Sequence, residues 1–516
     1  MASRLPVLVV GAGPVGMVVA SELLQQQVPV RIIDADRAHS NHSRATSLWP
    51  RILEILGRTG VSDELICLGH RVDRVHYYSA GRHLGAARLD RLENTPYPFG
   101  LALPQSVTED VLERRLTELG GKVERGLRLT GLLQDGDTVQ ARVTLPDGCT
   151  EDIEAAWVVG ADGSHSAVRD LLGIAFDGPS LRLDFAIGDA TIDGRTPEHM
   201  VGYCWSPAGN LALAALGERA FRVAVRITEQ ERQQRYGTEY FERVLHERGP
   251  RGSFTVSDVR FSTTFTAAIR SAARYRVGRC FLAGDAAHVM SPAGGQGMNT
   301  GIQDGVNLAW KLAGVMTGRF PDALLDSYES ERRRAATSVA QGTARQAALG
   351  NLTRRGDVLR RDLNIRLGSL TGRLRREVAP TLGQLNVSYS PLGVSSAAGR
   401  IAPGDRVPAL PGRDLPGWAE LDVARFTVLA WESDAPPAEE AVPAGLHRVA
   451  TRAADAPQLA KALGDTPVLA LIRPDGHLAA LVDPARPDAL ADAYAHALGE
   501  GGFPEQDPKT EGRKGS

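Results

Sequence analysis

The 516-residue sequence contains little cysteine, and this scarcity excludes two kinds of site. Its four cysteines, Cys67, Cys149, Cys204 and Cys280, are scattered and form no CxxC pair and no metal-like spacing. We therefore expect neither a disulfide scaffold nor a bound metal ion. The thiols are expected to be free and buried in a protein of the reducing cytoplasm.

Long apolar runs and an excess of charge of one sign are also missing. With 59 basic and 61 acidic residues the net charge is −2, which argues against a protein that binds nucleic acid or a membrane surface. No stretch of eighteen uninterrupted apolar residues is present, so no transmembrane helix is expected. The N-terminal apolar run is broken at 11–14 and reads as strand, turn and helix rather than as a signal peptide.

Alternating strand and helix patterns are what the sequence does contain. A strand at 5–10, a helix at 14–26 and a strand at 28–33 form a βαβ unit that begins a doubly wound sheet. Strand patterns dominate again at 183–267, interrupted by one polar helix at 229–248. The fold class is therefore α/β, with a Rossmann-like domain and an inserted β-rich domain.

The length and the changes of pattern predict three domains. A proline-rich linker near 391–411 precedes an alanine-rich α/β segment, and the last residues are polar and glycine-rich. The predicted boundaries are 1–180 with 268–390 for the Rossmann-like domain, 181–267 for the inserted β-sheet domain, 391–499 for a C-terminal domain and 500–516 for a disordered tail.

The first of three motifs is a glycine-rich turn between a strand and a helix. Gly11 allows a tight turn, Gly13 lets a pyrophosphate approach the backbone, and Gly16 allows close packing of helix on strand. Asp34 ends the next strand, where a carboxylate can accept hydrogen bonds from ribose hydroxyls. The strand, helix and acid together predict dinucleotide binding, against the alternative of a glycine-rich turn without ligand.

Two later motifs have the same strand–turn–helix character. In VVGADGSHSAVR, Asp162 lies at the turn and Ser166 is placed to cap the following helix. In CFLAGDAAHVMSPAGGQGMN, a strand leads to Asp285, and a loop with Gly294, Gly295 and Gly297 can bring backbone N–H groups against a flat ring at a helix N-terminus. Taken singly, each is also compatible with a loop that only turns the chain.

Together, these three motifs resemble the single-component flavoprotein aromatic hydroxylases. That family includes p-hydroxybenzoate hydroxylase, phenol hydroxylase and the aromatic-polyketide hydroxylases. Similar to its pattern are AGDAAHVMSPAGGQGMNTGIQDGVNLAWKL, Arg44 in SRATSLWPRILEIL, Gln105 in LPQSVTEDVLERRL, and DSYESERRR. The resemblance covers about 5–345. Beyond it, LALIRPDGHLAAL at 469–481 resembles the polyketide-type branch, whose C-terminal domain is thioredoxin-like.

The resemblance implies a role for each matching residue. Gly11, Gly13, Gly16 and Asp34 hold the ADP half of FAD. Arg44 and Gln105 contact its pyrophosphate and ribityl regions, and Asp162 lies near the pyrophosphate. Asp285 binds a hydroxyl on the flavin side, Pro292 lies near the reactive edge of the isoalloxazine, and the backbone of Gly297, Met298 and Asn299 meets its pyrimidine ring.

The resemblance also implies the reaction. Noncovalent FAD is reduced by NADPH or NADH, which binds only transiently, and reacts with O2 to form a C4a-hydroperoxide that hydroxylates an aromatic substrate. The polyketide-type branch implies a polycyclic substrate. The protein is expected to be a monomer or homodimer. A protein general base is not obligatory, because a phenol substrate can supply its own activated oxygen. His288 is a candidate proton shuttle, although a histidine there more often satisfies local backbone groups.

Three alternative functions fit the same sequence to different degrees. Baeyer–Villiger oxygen insertion on the same fold is not separable from hydroxylation. Flavin-dependent halogenation is disfavoured because no WxWxIP segment is present. A non-catalytic flavin- or ligand-binding protein would lack rapid NAD(P)H oxidation, and the intact motifs count against it.

Several side chains remain open between two interpretations. Tyr203, Cys204 and Trp205 either line a substrate pocket or pack within a sheet. Arg182 and Arg222 are the candidate cations for a small carboxylate substrate. The arginine run 332–334 and the pairs 354–355 and 360–361 are expected on solvated helix faces.

Overall fold

The computed structural model describes residues 5–38, 45–178, 183–194, 200–389, 401–408, 421–486 and 488–500. Arg44, Arg182 and all of the predicted tail 500–516 except Glu500 lie outside the described residues. No helix of the described ranges is long and apolar enough to cross a membrane.

Helices and strands follow each other in this order along the chain. Up to residue 178 they are β1 (Val7–Val10), α1 (Pro14–Gln25), β2 (Val30–Asp34), β3 (Ser47–Leu48), α2 (Pro50–Gly57), α3 (Ser62–Leu68), β4 (His70–Val72), β5 (Arg74–Ser79), β6 (Arg82–Arg88), β7 (Gly100–Ala102), α4 (Gln105–Glu118), β8 (Val123–Arg125), β9 (Arg128–Asp135), β10 (Thr138–Thr144), β11 (Thr150–Ala155), β12 (Trp157–Gly160), α5 (Ala167–Leu171) and β13 (Phe176–Asp177). Strands then dominate: β14 (Leu183–Asp193), β15 (Met200–Ser206), β16 (Gly209–Ala215), β17 (Ala220–Arg226), α6 (Thr238–Arg248), β18 (Thr255–Ala267), β19 (Arg270–Ala272), β20 (Arg276–Val277), β21 (Cys280–Leu282) and β22 (His288–Val289). The remaining elements are α7 (Gly297–Met316), α8 (Ser327–Gly350), α9 (Arg355–Leu370), α10 (Ala379–Leu382), β23 (Thr427–Trp431), β24 (His447–Thr451), α11 (Pro457–Leu463), β25 (Val468–Ile472), β26 (Leu478–Val482) and α12 (Asp488–Ala497).

A six-stranded sheet carries all three motifs. Its order is β20-β21-β12-β1-β2-β8, and the strands from β21 to β8 are parallel. Val10 pairs with Ile33 on one side and with Gly160 on the other, and Gly160 pairs with Leu282. The carboxyl ends of four adjacent strands therefore meet at one level. The predicted βαβ unit is confirmed, and β1 lies where the strand order changes direction, the usual ligand position in such sheets.

A seven-stranded sheet forms the β-rich part of the chain. Its order is β18-β14-β17-β16-β15-β5-β6, so residues 74–88 extend the strands predicted from the segment 181–267. The single helix predicted at 229–248 is wrong in its first half. Glu229–Gln233 is a short 3₁₀ turn capped by Thr228, and α6 begins only after Gly237, whose backbone is extended.

The described residues divide into two compact units. The first holds those up to Val306 and from Ala336 to Val387, and the second holds Asn307–Ala335 and the described residues after Val387. The second unit thus includes Asn307–Ala335, which precede the proline-rich linker in the sequence. The reason is apolar packing, since the ring of Trp310 lies 5.6 Å from that of Phe426, edge to face, in one buried cluster.

The second unit contains a network of buried charges. Glu331 accepts hydrogen bonds at 2.8 Å from Lys311 and from Arg473, and Arg473 also donates to Asp475 at 2.7 Å. Burial opposes ionisation of Glu331, but Arg473 and Lys311 outweigh it and lower its pKa to about 2. Burial lowers the pKa of Lys311 to about 8. The expectation of a solvated arginine run is wrong at Arg332, which is fully buried and donates to the Tyr389 hydroxyl at 2.9 Å.

The cysteines are free, but only half of them are buried. Cys204 and Cys280 are buried, whereas Cys67 and Cys149 are exposed. The prediction of free thiols is confirmed, and that of burial is wrong for two positions. Cys67 is the next-to-last residue of the short surface helix α3, and Cys149 follows the exposed turn at Pro146–Gly148, so neither side chain points into a core.

We expect Arg473→Met to destabilise the protein by about 3–5 kcal/mol, because it leaves two buried carboxylates without their guanidinium. Arg452→Met is the matched control, since Arg452 pairs with Asp434 at the surface and little effect is expected. Denaturant unfolding of both variants checks this. Equal, small changes in the two would contradict the assigned importance of the buried network.

Candidate functional site

The turn after β1 gives each motif glycine a distinct role. Gly11 has a φ of +100°, and a Cβ atom there would lie 2.4 Å from the carbonyl oxygen of Ala161. A Cβ on Gly16 would lie 1.9 Å from the carbonyl oxygen of Gly11, so this glycine packs α1 against the turn. A Cβ on Gly13 would meet no atom within 4 Å. The structure therefore leaves open space only at Gly13, and no side chain caps the N-terminus of α1 there.

Asp34 lies directly beside this turn. Its Oδ2 accepts a hydrogen bond from the backbone N–H of Ala12 at 2.6 Å, and its Oδ1 accepts one from Asp36 at 2.8 Å. The carboxylate at the end of β2 thus fixes the glycine-rich turn, a role that the sequence pattern did not predict. Each oxygen retains a second lone pair for a ligand hydroxyl.

The second motif meets the first at the sheet edge. The Cα of Asp162 would lie 2.8 Å from a Cβ on Gly11. Its Oδ2 accepts from the N–H of Val168 at 3.1 Å, while Oδ1 is buried without a hydrogen-bond partner among the described residues. Burial raises the pKa of Asp162. The predicted cap is confirmed, because the Ser166 hydroxyl accepts from the N–H of Arg169 at 3.0 Å.

The third motif packs against the helix of the first. Gly284 has a φ of +62° and lies beside Val15, and a Cβ on Gly301 would be 3.0 Å from the Cα of Gly284. This close contact fixes the turn that carries Asp285, an exposed residue at the same edge as Gly13. All three predicted loops therefore converge on one crevice.

His288 forms a buried polar contact in this arrangement. It is only 4% exposed, and its Nε2 lies 2.6 Å from Oδ2 of Asp304, which also accepts from the N–H of Gly284 at 3.0 Å. His288 is not among the residues that line the cavity described below. The sequence pattern placed it beside the loop but did not indicate this buried partner.

Helix α7 begins at Gly297, where an added Cβ atom would meet no other atom within 4 Å. Met298 is half-buried, whereas the Asn299 side chain accepts from the N–H of Trp49 at 2.8 Å and donates to the carbonyl of Ser47 at 2.7 Å. The Asn299 side chain thus ties the segment at β3 to the start of α7. Its helix leaves the first backbone N–H groups free of intrahelical acceptors.

Gln105 begins α4 and lies beside the segment that follows Arg44. Its Oε1 accepts from the N–H of Ala45 at 3.3 Å, and its Nε2 donates to Glu109 at 2.8 Å. These two hydrogen bonds therefore hold the Gln105 side chain against Ala45, where the segment after Arg44 begins.

A cavity separates the loop at Pro292–Gly295 from one face of the seven-stranded sheet. Tyr203 pairs with Ala212, which pairs with Ala224, which pairs with Ile187, and all four side chains line the cavity. Other lining residues on this face are Phe185, Val201, Trp205, Asn210, Ala214, Arg222, Arg226 and Phe265. Leu211 and Leu213 also contribute to the lining, although their side chains belong to the apolar core on the opposite face. The last turns of α8, from Gln346 to Gly350, also line it.

Strand alternation resolves the three residues left open by the sequence. Tyr203 and Trp205 line the cavity, while Cys204 points to the opposite face and lies in the apolar core with Phe241. Burial raises the pKa of Tyr203 to about 12, although the Gln346 side chain and the Gly294 backbone oppose the shift. Burial also raises the pKa of the Cys204 thiol, which is therefore unreactive.

Arg222 is not a free cation in this cavity. Its Nε and Nη2 donate to the two carboxylate oxygens of Asp189, each at 2.7 Å, and the residue is 4% exposed. Such a bidentate pair satisfies the charge within the protein. The other sequence candidate, Arg182, lies outside the described residues.

A family model described as an FAD binding domain matches residues 4–343. The chain belongs to this family. It is 34% identical over 505 residues to 12-dehydrotetracycline 5-monooxygenase/anhydrotetracycline 6-monooxygenase of Streptomyces rimosus, covering 95% of this chain and 98% of the relative. Rifampicin monooxygenase of Streptomyces venezuelae is 37% identical over 66% of this chain and 71% of its own length. The solved structure of the anhydrotetracycline hydroxylase OxyS from Streptomyces rimosus has a TM-score of 0.75 and 30% identity, covering 96% of this chain and 99% of that one.

The family and the geometry together establish a flavin-dependent aromatic monooxygenase. The residues present fit FAD, since Gly13 and Gly297 leave open backbone at two helix N-termini and Asp162 carries a buried oxygen with no hydrogen-bond partner in the described part of the chain. Bound FAD, reduced by NAD(P)H as is typical of the family, supplies the activation of O2. The chain's own contribution is to bind the flavin at helix N-termini and to exclude water from the cavity.

We expect Gly13→Val to lose FAD while its far-UV circular dichroism stays native, because the new side chain fills only the open space of the crevice. Gly16→Ala is the control. Its Cβ would collide with the Gly11 carbonyl, so fold and FAD should be lost together. The FAD-to-protein ratio of the purified variants measures this, and full occupancy in Gly13→Val would contradict the assignment.

Proposed function

We propose that this monooxygenase hydroxylates a planar, polycyclic aromatic substrate of the polyketide type. The observation that carries the proposal is the floor of the cavity. Ala212, Ala214 and Ala224 lie on adjacent strands of the seven-stranded sheet and all face the cavity. Small side chains on a sheet leave a flat surface against which a fused ring system can lie.

The walls of the cavity favour the same class of ligand. Phe185, Phe265 and Ile187 line it from β14 and β18, and Trp205 lines it from β15. A fused aromatic system gains about 25 cal/mol for each Å² of apolar surface that such walls bury. The relatives with tetracycline-type names, including 6-methylpretetramide 4-monooxygenase of Streptomyces rimosus, support the assignment.

The charges near the inner wall argue against a small carboxylate. Arg222 is held by Asp189, so a single-ring acid placed there would have to compete with an existing bidentate ion pair. Arg222 also approaches the carbonyl oxygen of Ala45, at 3.5 Å. The pair therefore serves to fix the sheet next to the flavin-side segment.

For the cofactor, we propose the contacts implied by the sequence motifs. Gly11, Gly13, Gly16 and Asp34 hold the ADP half, with Arg44, Gln105 and Asp162 towards the pyrophosphate. Asp285, Pro292 and the backbone of Gly297, Met298 and Asn299 lie along the flavin. The N–H groups at the start of α7 would then stabilise negative charge on the ring.

For the C-terminal segment, we propose a thioredoxin-like domain without thiol chemistry. Its sheet order β24-β23-β25-β26, with β23 parallel to β24 and antiparallel to β25, supports that topology. A short 3₁₀ turn, Glu439–Ala441, stands where a helix would join the first two strands. None of the four cysteines lies beyond Cys280, so the segment has no redox pair.

Coupled turnover tests the substrate class. We expect hydroxylated product per NAD(P)H consumed to be high with anthrone-like or naphthacene-type compounds and low with simple phenols. Product NMR separates hydroxylation from Baeyer–Villiger insertion, which adds the same mass. Tight coupling with 4-hydroxybenzoate and none with any polycycle would overturn the proposed substrate.

Two matched substitutions test whether the substrate lies on the alanine surface of the cavity. Ala212→Leu should raise the KM of a polycyclic substrate by about tenfold, since overpacking costs on the order of 1–3 kcal/mol. Ala220→Leu makes the same change on β17 outside the cavity and should leave that KM unaltered. An unchanged KM in Ala212→Leu would contradict a substrate lying on this surface.

A further inference from the structure

The cavity has a second polar end that neither the motifs nor the flavin contacts account for. We propose that Arg226, together with Asn210 and Asn351, binds an acidic oxygen of the substrate, which is a phenolate, an enolate or a carboxylate. This contact lies at the edge of the cavity remote from the loop at Pro292–Gly295, which we call the flavin loop. This inference rests on the proposed function and adds to it the orientation of the substrate.

The sheet register places these residues in one row. Arg226 pairs with Phe185, and Asn210 pairs with Trp205. Because Leu211 pairs with Val225, the adjacent residues Asn210 and Arg226 are also neighbours across two strands. Phe185, Arg226, Asn210 and Trp205 all line the cavity. The row is therefore continuous from β14 to β15 across the floor.

This row lies further from the flavin loop than the row of Tyr203. On the other side of the Tyr203 row, Arg222 reaches the carbonyl oxygen of Ala45 at 3.5 Å. That segment packs at Ser47 against Gly295 of the loop, whereas the Trp205 row meets the end of α8. A Cβ on Gly350 would lie 2.7 Å from Nδ2 of Asn210 and 2.9 Å from Trp205. Side chains two residues apart on a strand are separated by about 7 Å. A ligand that reaches from the loop to Arg226 must therefore be extended, as a polycycle is.

Arg226 differs from Arg222 in how its charge is satisfied. Arg222 has a bidentate carboxylate partner, whereas Arg226 forms no ion pair among the described residues. Its Nη1 donates to Oδ1 of Asn351 at 2.7 Å, and the side chain is exposed at the mouth of the cavity. A guanidinium has five N–H donors, so most remain available to a ligand oxygen.

Asn351 and Asn210 orient this end of the cavity. Oδ1 of Asn351 accepts from both Arg226 and Nδ2 of Asn210, the latter at 3.3 Å, which holds the three side chains together. Oδ1 of Asn210 is buried and has no hydrogen-bond partner among the described residues. A buried acceptor without a donor is costly, and a ligand hydroxyl would satisfy it. The preferred group is thus an acidic oxygen with a hydroxyl beside it.

The consequence is a fixed orientation of the substrate. A charge-assisted hydrogen bond to Arg226 holds the acidic edge at the mouth, and the apolar remainder extends over the alanine floor towards Pro292. The ring that reacts is then the one furthest from the acidic group. Arg226 acts here as a specificity-determining residue and takes no part in the oxygen transfer.

Binding of a matched ligand pair to the FAD-loaded protein tests this. The probes are anthraquinone-2-carboxylate and its methyl ester, with Kd measured by quenching of flavin fluorescence. We expect the carboxylate to bind about tenfold more tightly than the ester, the order of a charge-assisted contact at a partly exposed site. Arg226→Met should abolish this preference and leave the Kd of the ester unchanged.

Arg219→Met is the matched control, because Arg219 is an exposed, ion-paired arginine just before β17 that does not line the cavity. It should keep the wild-type preference, and Arg226→Lys should keep part of it. Equal Kd values for the two probes in the wild type, or an unchanged preference in Arg226→Met, would overturn the inference.

A second ligand pair separates failure of the proposed substrate class from failure of the proposed role of Arg226. If the wild type binds neither anthraquinone but does bind 4-hydroxybenzoate and its methyl ester, the polycyclic proposal is wrong. The effect of Arg226→Met on the Kd ratio of that second pair then decides the role of Arg226 by itself. If neither pair binds, both proposals are overturned.

Discussion

The hydrogen-bonded register of β1 with its neighbours is the constraint on which the rest of the site depends. Val10, Ile33, Gly160 and Leu282 form one level across four parallel strands. The loops that follow these residues must therefore leave the sheet at the same edge. A slip of one residue in any strand would turn its side chains to the other face and displace its loop.

Close backbone contacts then fix the loops relative to each other. Gly16 packs against Gly11, and Gly301 packs against Gly284. At both places the helix backbone lies so close to a turn that a Cβ atom would not fit without a shift. Buried polar side chains complete the assembly, since Asp304 holds Gly284 and His288 while Asn299 holds Trp49 and Ser47. The protein's own groups thereby fix the shape of the crevice.

The cavity owes its chemistry to the two-residue period of the strands. One face of the seven-stranded sheet presents alanines and aromatic rings to the cavity, and the other face presents Cys204 and Val223 to a core covered by α6. Two arginines on the same face of β17 differ in how their charge is satisfied. Arg222 is neutralised by Asp189, and Arg226, four residues on, faces the mouth of the cavity beside two amides. Position along one strand thus separates a structural charge from a recognition charge.

The sequence by itself determined the family, the cofactor and most of the local structure around the motifs. A cofactor-binding role could be predicted for Gly11, Gly13, Gly16 and Asp34 because their spacing reflects local backbone geometry, and the cap at Ser166 follows the same logic. Only the tertiary structure decided which long-range partners each side chain meets. Some of these contacts depend on residues distant in sequence, as for buried Arg332 and for His288 with Asp304. Others depend on a strand register that no local pattern specifies, as for the ion pair of Arg222 with Asp189 and the exposure of Arg226. The position of Trp310 in the second unit has the same cause, because most members of its core, from Phe426 onward, lie more than a hundred residues later.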